Sequence, residues 1–130
     1  MMRLPSRRKR PKMGVRPDSW IRSTGHLQWI KGFPCCLEGK SGHVCNGVIQ
    51  AAHVRCGTDG GEAVKPSDCW VIPFCAGAHL GIQHRIGEPA IERRFSFSMK
   101  DTALEFWRRS PHRIKFAEHP ANPLRRGDLP

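Results

Sequence analysis

The chain has 130 residues, the length of one ordinary domain, and 22 Lys and Arg against 11 Asp and Glu give it a formal net charge of +11. Apolar residues make up 38% of the sequence, too many for a disordered or collagen-like chain. No run of about 18 apolar residues is present, and the basic start lacks the apolar segment of a secretory signal. We therefore expect a cytoplasmic protein without membrane contact, whose cysteines are metal ligands or plain thiols and whose partner is a polyanion such as nucleic acid.

Residues 1–22 are predicted to form a basic, extended N-terminal arm. Residues 1–16 carry seven Lys and Arg and no acidic residue, and three prolines interrupt the arm. Such a segment has few residues for a core and is expected to become ordered only on a partner. Four consecutive cations are candidates for contacts with nucleic-acid phosphates: Arg7, Arg8, Lys9 and Arg10. A solubilising tail without such contacts is the alternative.

Residues 23–98 are predicted to form the packed domain. A short helix is expected from a cap at Thr24 to Ile30, followed by a strand or hairpin limb within residues 44–52. A glycine-rich loop over residues 56–65 then leads to a short apolar strand at residues 70–74.

Helical patterns dominate the rest of the chain. A helix is expected from Ala76, and Pro89 either interrupts it or starts the next one. Residues 99–130 are predicted to hold a last helix, capped by Asp101 and ending at residues 110–111, and then a proline-broken basic tail. The fold class that follows is a compact α+β unit.

One subset of the cysteines has the pattern of a structural zinc site. A first cysteine before the strand pair, either Cys35 or Cys36, would join Cys45, Cys75 and, four positions later, His79. Zinc binds four sulfur or nitrogen ligands in a tetrahedron, and a small domain gains folding free energy from such a site. The alternative is that these cysteines are small buried side chains without a metal.

The remaining cysteines and loop histidines have no part in this set. Cys56 and Cys69 are interpreted as apolar filler, although Cys69 could replace a zinc ligand. His43 lies in loop sequence and is interpreted as a solvated or phosphate-contacting side chain.

A second subset has the composition of a hydrolytic site. His53 ends the first predicted strand, Asp68 precedes the second, and His79 and His84 lie on the following helix. Histidines that converge across one strand, loop and helix could bind a divalent ion and activate a water molecule. The alternative is that these histidines are structural.

At these positions the chain resembles the small HNH (His-Me finger) nucleases of phages and prophages, including the YbcO-like nucleases. The resemblance covers most of the chain and is carried by four blocks: Cys45-Asn46-Gly47, Ala52-His53-Val54-Arg55, Ile72-Pro73-Phe74-Cys75 and Gln83-His84-Arg85.

This resemblance implies a zinc-stapled ββα-metal finger that hydrolyses DNA phosphodiester bonds with one divalent cation, Mg²⁺ or Mn²⁺. It implies that His53 is the general base and that His84, with or without His79, holds the catalytic metal. Asp68 stands as the nearest polar substitute for the family's Asn, and it could equally cap a turn at residues 66–67. A role in phage DNA processing or recombination is implied as well, and two arginines of the same blocks, Arg55 and Arg85, become candidates for phosphate contacts.

The spacing of His79 and His84 makes a specific structural prediction. Five residues of a regular α-helix turn through about 500°, which leaves the two side chains about 140° apart. A π-bulge would restore a shared face, and such bulges favour functional sites. We therefore expect a helix irregularity near Gly81.

Two other classes of function stay open. The family often has Asp or His where this chain has Ala52, so a non-catalytic, zinc-stapled DNA-binding module is one alternative. An extracellular basic protein held by disulfides is the other, since six cysteines is an even number.

Overall fold

The computed structural model describes residues 19–60 and 64–124. The predicted phosphate contacts at Arg7, Arg8, Lys9 and Arg10 lie outside these residues. In the described parts, no helix is long and apolar enough to cross a membrane. The elements in chain order are α1 (Thr24–Ile30), β1 (Ile49–His53), β2 (Val71–Cys75), a π-helix (Gly77–Gln83), α2 (His84–Ile86), α3 (Glu88–Phe95), α4 (Met99–Arg109) and a 3-10 helix (Pro111–Phe116).

The two strands form a small antiparallel sheet, so the fold is mixed α+β as predicted. Ile49 pairs with Cys75 at one end of the ladder, and His53 pairs with Val71 at the other. Every residue of β2 is buried, as its continuous apolar run predicts, whereas β1 is only partly covered. Ala52 is fully buried on β1 and belongs to the core.

The helix after β2 is a π-helix over seven residues, Gly77–Gln83, which confirms the irregularity predicted near Gly81. Its end is marked by the backbone N–H of His84, which donates to the carbonyl oxygens of His79 and Ile82. A Cβ atom at Gly81 would meet nothing within 4 Å, so packing does not require glycine there. The prediction of the irregularity came from the five-residue step between His79 and His84, not from the glycine.

Serines cap the helices at both ends of the domain. The Ser23 hydroxyl accepts from the N–H of His26 at 3.1 Å, and Ser98 accepts from the N–H of Asp101 at 3.1 Å. The predicted caps Thr24 and Asp101 are wrong by one and three residues, since both lie inside the first turn.

The core lies between the hairpin and the helices that follow it. Trp107 of α4, Phe74 of β2 and Ile91 of α3 are all fully buried. The segment after α4 adds to this packing, because the indole N–H of Trp107 donates to Asn122 Oδ1 at 3.0 Å and Leu124 is buried. Asn122 and Leu124 of the predicted tail are thus packed on the domain.

The end of the predicted N-terminal arm is also part of the fold. Ile21 is fully buried, its N–H donates to Ser67 Oγ at 3.0 Å, and its carbonyl oxygen accepts from the N–H of Asp68 at 2.8 Å. These bonds attach the start of the described chain to the loop that leads into β2.

Candidate metal centre and histidine cleft

Three cysteines and one histidine form a cluster that could hold a structural metal ion such as zinc. The ligand atoms of Cys35, His43, Cys45 and Cys75 all lie within 4.8 Å of one another. Tetrahedral zinc, with bonds of about 2.0–2.3 Å, keeps neighbouring nitrogen and sulfur ligands about 3.6 Å apart. The Cys75 sulfur lies 3.5 Å from His43 Nε2, so this pair already has that separation. The donor set therefore fits a Cys₃His zinc site.

This cluster corrects two of the predicted ligands. His43, interpreted from the sequence as solvated or phosphate-contacting, occupies the fourth position in place of His79. Between the two neighbouring cysteines, Cys35 belongs to the cluster and Cys36 does not. His43 lies two residues before Cys45, so one loop supplies two ligands. This short spacing is the feature of the sequence that could have identified His43 as a ligand.

Backbone groups support the sulfur atoms of the cluster. Cys75 Sγ accepts from the N–H groups of Asn46 and Ala78, each at 3.4 Å, and Cys35 Sγ accepts from the N–H of Leu37 at 3.4 Å. Burial raises the pKa of the Cys75 thiol, but the N–H donors of Asn46 and Ala78, together with side-chain hydrogen bonds from Cys35 and Cys45, outweigh burial and bring the pKa below its usual value. The thiolate form that zinc requires is therefore favoured at Cys75.

His53, at the end of β1, is held by the carboxylate of Asp68. His53 Nε2 lies 2.9 Å from Asp68 Oδ1, and Asp68 Oδ2 accepts from the N–H of Ser23 at 2.8 Å. An ionised carboxylate only accepts hydrogen bonds, so Nε2 of the His53 ring carries a proton, and the neutral form of the ring has its lone pair on Nδ1. Asp68 thus fixes both the tautomer and the orientation of the ring.

The surroundings of Asp68 keep it ionised. Burial raises its pKa, but the hydrogen bonds from His53 and from the Ser23 N–H, together with the nearby Arg22 at 3.6 Å, lower the pKa below the usual value for Asp. Arg22 is itself held by the carbonyl oxygen of Lys65 at 2.9 Å and by that of Pro66. The sequence could single out Asp68 as a polar residue but not identify its partner.

His79 of the π-helix and His84, the first residue of α2, form a pair. Their ring centroids are 4.8 Å apart and the rings are nearly perpendicular, at 80°. Gln50 Oε1 of β1 lies 2.8 Å from His79 Nδ1 and can only accept, which leaves the lone pair of His79 on Nε2. Burial and the charges of His84 and His53 lower the pKa of His79, so its ring is neutral at pH 7, as a metal ligand must be.

The three histidines line one cleft with a volume of about 540 Å³. Cations lie at its border, since Arg55 and Lys65 are exposed and also line it. Arg85, the other predicted phosphate contact, is exposed on α2. The cleft therefore combines three imidazoles with two exposed cationic side chains.

Two residues of the cleft were not predicted as functional from the sequence. Glu88 and Gln83 are 7% and 8% exposed and line the same cleft as His53. Cys56, interpreted as apolar filler, is instead exposed at the cleft, whereas Cys69 is fully buried as that interpretation requires. All six cysteines are free thiols.

None of the family models, curated proteins or solved structures with which the chain was compared matches it significantly.

Proposed function

We propose that this chain is a metal-dependent endonuclease that hydrolyses DNA phosphodiester bonds. In this proposal β1, β2 and the π-helix form an HNH-type ββα-metal finger, and the Cys₃His cluster holds its structural zinc ion. The observation that supports the proposal best is that His53, fixed by Asp68, shares one cleft with the His79–His84 pair. A positioned base beside a pair of imidazoles suits phosphodiester hydrolysis with one divalent cation.

His53 is the general base of the proposed reaction. Its Nδ1 lone pair takes a proton from the attacking water, while Nε2–H continues to donate to Asp68. The ring then carries a positive charge, which the adjacent Asp68 carboxylate stabilises. General-base catalysis of this kind contributes about 10²- to 10⁴-fold to a rate.

His79 and His84 are the proposed ligands of the catalytic cation. A divalent cation bound there, Mg²⁺ or Mn²⁺, would offset the charge that develops on the phosphate and on the leaving oxygen. Gln50 keeps His79 Nε2 available as a donor atom. In the described residues no cluster of three or more potential ligands lies here, so the pair would leave coordination positions open for the phosphate and water.

Basic residues supply the attraction to DNA. The chain carries +11 overall, and Arg55 and Lys65 border the cleft. Lys and Arg contact phosphates without reading sequence, and affinity falls steeply as salt rises. These two side chains are therefore the proposed phosphate contacts closest to His53.

A plasmid-nicking assay tests the proposal. Supercoiled DNA is incubated with the wild-type protein in Mg²⁺ or Mn²⁺, in EDTA, and with the variants His53→Ala and His119→Ala. His119 lies outside the cleft and serves as the matched control. We expect nicking by the wild type and by His119→Ala only in the presence of the cation, and none by His53→Ala.

The other outcomes separate the alternatives. Salt-dependent DNA binding without nicking by any variant would favour a non-catalytic DNA-binding module. Equal nicking by wild type and His53→Ala would contradict the mechanism, because another group would then have to take the proton.

A further inference from the structure

Glu88 is a buried carboxylate that accepts hydrogen bonds from the chain two and three residues after His53. Glu88 Oε1 and Oε2 accept from the backbone N–H of Arg55 at 3.0 and 2.8 Å, and Oε1 also accepts from the N–H of Cys56 at 2.9 Å. The Glu88 side chain thus satisfies two consecutive N–H donors of the segment that leaves β1. Charged acceptors make the stronger class of hydrogen bond to backbone N–H groups.

Gln83 continues this network to His53 itself. Its Nε2 donates to the carbonyl oxygen of His53 at 3.0 Å and to Glu88 Oε2 at 3.2 Å. Gln83 is also the last residue of the π-helix and directly precedes His84. One side chain therefore links the backbone of His53 to the helix that carries His79 and His84.

The turn between α2 and α3 places Glu88 in this position. Gly87 adopts a φ of 83°, a value that favours glycine, and its N–H donates to the carbonyl oxygen of Gln83 at 3.1 Å. Pro89, in the first turn of α3, fixes the chain on the other side of Glu88. The carboxylate is therefore presented by a backbone with little freedom.

We propose that Glu88 and Gln83 are positioning residues for His53, an inference that rests on the proposed function. Asp68 orients the His53 ring, Gln83 donates to the His53 carbonyl oxygen, and Glu88 accepts from the N–H groups of Arg55 and Cys56. Together these contacts set the distance between the base and the His79–His84 pair. A misplacement of about 1 Å in such a site costs about 10²-fold in rate.

Two variants test the positioning role independently. Glu88→Gln replaces one acceptor oxygen with an N–H₂ group that faces N–H donors. Gln83→Leu removes the donor at similar size, and Gln83 Oε1 is buried without a partner among the described residues, so an apolar group suits that space. Glu105→Gln is the control, because Glu105 is exposed on α4.

Two readouts are measured for every variant: the single-turnover cleavage rate at saturating DNA, and the ¹H–¹⁵N signal of the His53 Nε2–H by NMR. We expect rates about 10- to 100-fold lower in Glu88→Gln and Gln83→Leu. DNA affinity and zinc content should stay unchanged, and the imidazole signal should broaden through faster exchange. Glu105→Gln should match the wild type in all of these.

An unchanged imidazole signal in both variants would overturn the positioning role. Weaker DNA binding with an unchanged cleavage rate would overturn it as well. A wild-type protein that does not cleave would contradict the proposed function. The NMR signal would still decide whether Glu88 and Gln83 position His53, because it is measured without DNA or a catalytic cation.

Discussion

The backbone N–H of His84 donates to the carbonyl oxygen of His79, five residues earlier, and their imidazole centroids lie 4.8 Å apart. In a regular α-helix the same two side chains would point about 140° apart. The π-helix thus converts a spacing unsuited to an α-helix into a pair of neighbouring rings. This pair could share one cation with an open coordination sphere.

The ligand set of the zinc site can be tested by metal analysis. We predict about one zinc ion per wild-type chain, and substantially less in His43→Ala because one of four ligands is lost. His79→Ala is the matched control and should retain zinc, since Gln50 and His84 are its neighbours. Zinc content is measured by mass spectrometry after dialysis. Loss of zinc from His79→Ala but not from His43→Ala would reverse the assignment.

Gln50 should tune the binding of the catalytic cation. Gln50→Leu removes the acceptor that fixes His79 Nδ1–H, and losing such a partner typically costs about 10- to 100-fold in metal affinity. We predict a corresponding rise in the Mn²⁺ concentration needed for half-maximal nicking, with a matching loss of Mn²⁺ binding by EPR titration. Gln28→Leu, at an exposed position of α1, is the control. Equal Mn²⁺ affinity in the two variants would contradict the role of Gln50.

Asp68→Asn should reverse the tautomer of His53. The amide oxygen is required by the Ser23 N–H, so the amide NH₂ would face His53 Nε2 and donate to it. The ring would then carry its proton on Nδ1 and could not accept one from water. We predict a loss of about 10²- to 10⁴-fold in single-turnover rate, with DNA affinity retained. The control Asp101→Asn, on α4, should have the wild-type rate. A wild-type rate in Asp68→Asn would refute the assignment of the proton to His53 Nε2.

Acid should destabilise the protein through His26, a residue outside the cleft. His26 is fully buried with Nδ1 2.8 Å from Ser110 Oγ. Burial, with the nearby charge of His112, lowers the pKa of His26 from its usual value of 6.5 to about 4. In the unfolded chain this histidine binds a proton below about pH 6.5, whereas in the folded chain it does so only below about pH 4. The free energy of unfolding therefore falls as the pH drops from about 6.5 to about 4.

The effect of His26 is measured as the free energy of unfolding in urea at pH 7 and at pH 4.5. A pKa lowered from 6.5 to about 4 corresponds to a loss of about 3 kcal/mol in the free energy of unfolding once the pH is below both values. His26→Phe keeps an aromatic ring beside Trp107 but cannot bind a proton, so its stability should depend less on pH than that of the wild type. Identical pH dependence in the two proteins would place the acid sensitivity elsewhere, for example in zinc release.

The sequence could predict the features that depend on local spacing. The π-helix followed from the five-residue step between His79 and His84. The strand predicted from the apolar run at residues 70–74 is β2, which spans Val71–Cys75. Three of the four residues of the candidate metal site, Cys35, Cys45 and Cys75, were also predicted from their spacing in the sequence. His43 was missed because its loop meets β2 only in the folded chain, where its ring approaches Cys75.

The partners of the cleft histidines could not be predicted because they are tertiary contacts. Gln50 lies 29 residues from His79 along the chain, and Glu88 lies 33 residues from Arg55, whose backbone N–H donates to it. Glutamine and glutamate at such positions are equally typical of solvated surfaces, so composition and periodicity do not distinguish them. The reversal at Gly87 and the pairing of β1 with β2 bring them to the histidines.

The most direct measurement is the single-turnover rate of DNA cleavage by wild-type protein and by His53→Ala, prepared with equal zinc content and assayed in Mn²⁺ at saturating DNA. We predict that the substitution lowers the rate by about 10²- to 10⁴-fold while the dissociation constant for DNA is unchanged. Equal rates for the two proteins would contradict the assignment of His53 as the base.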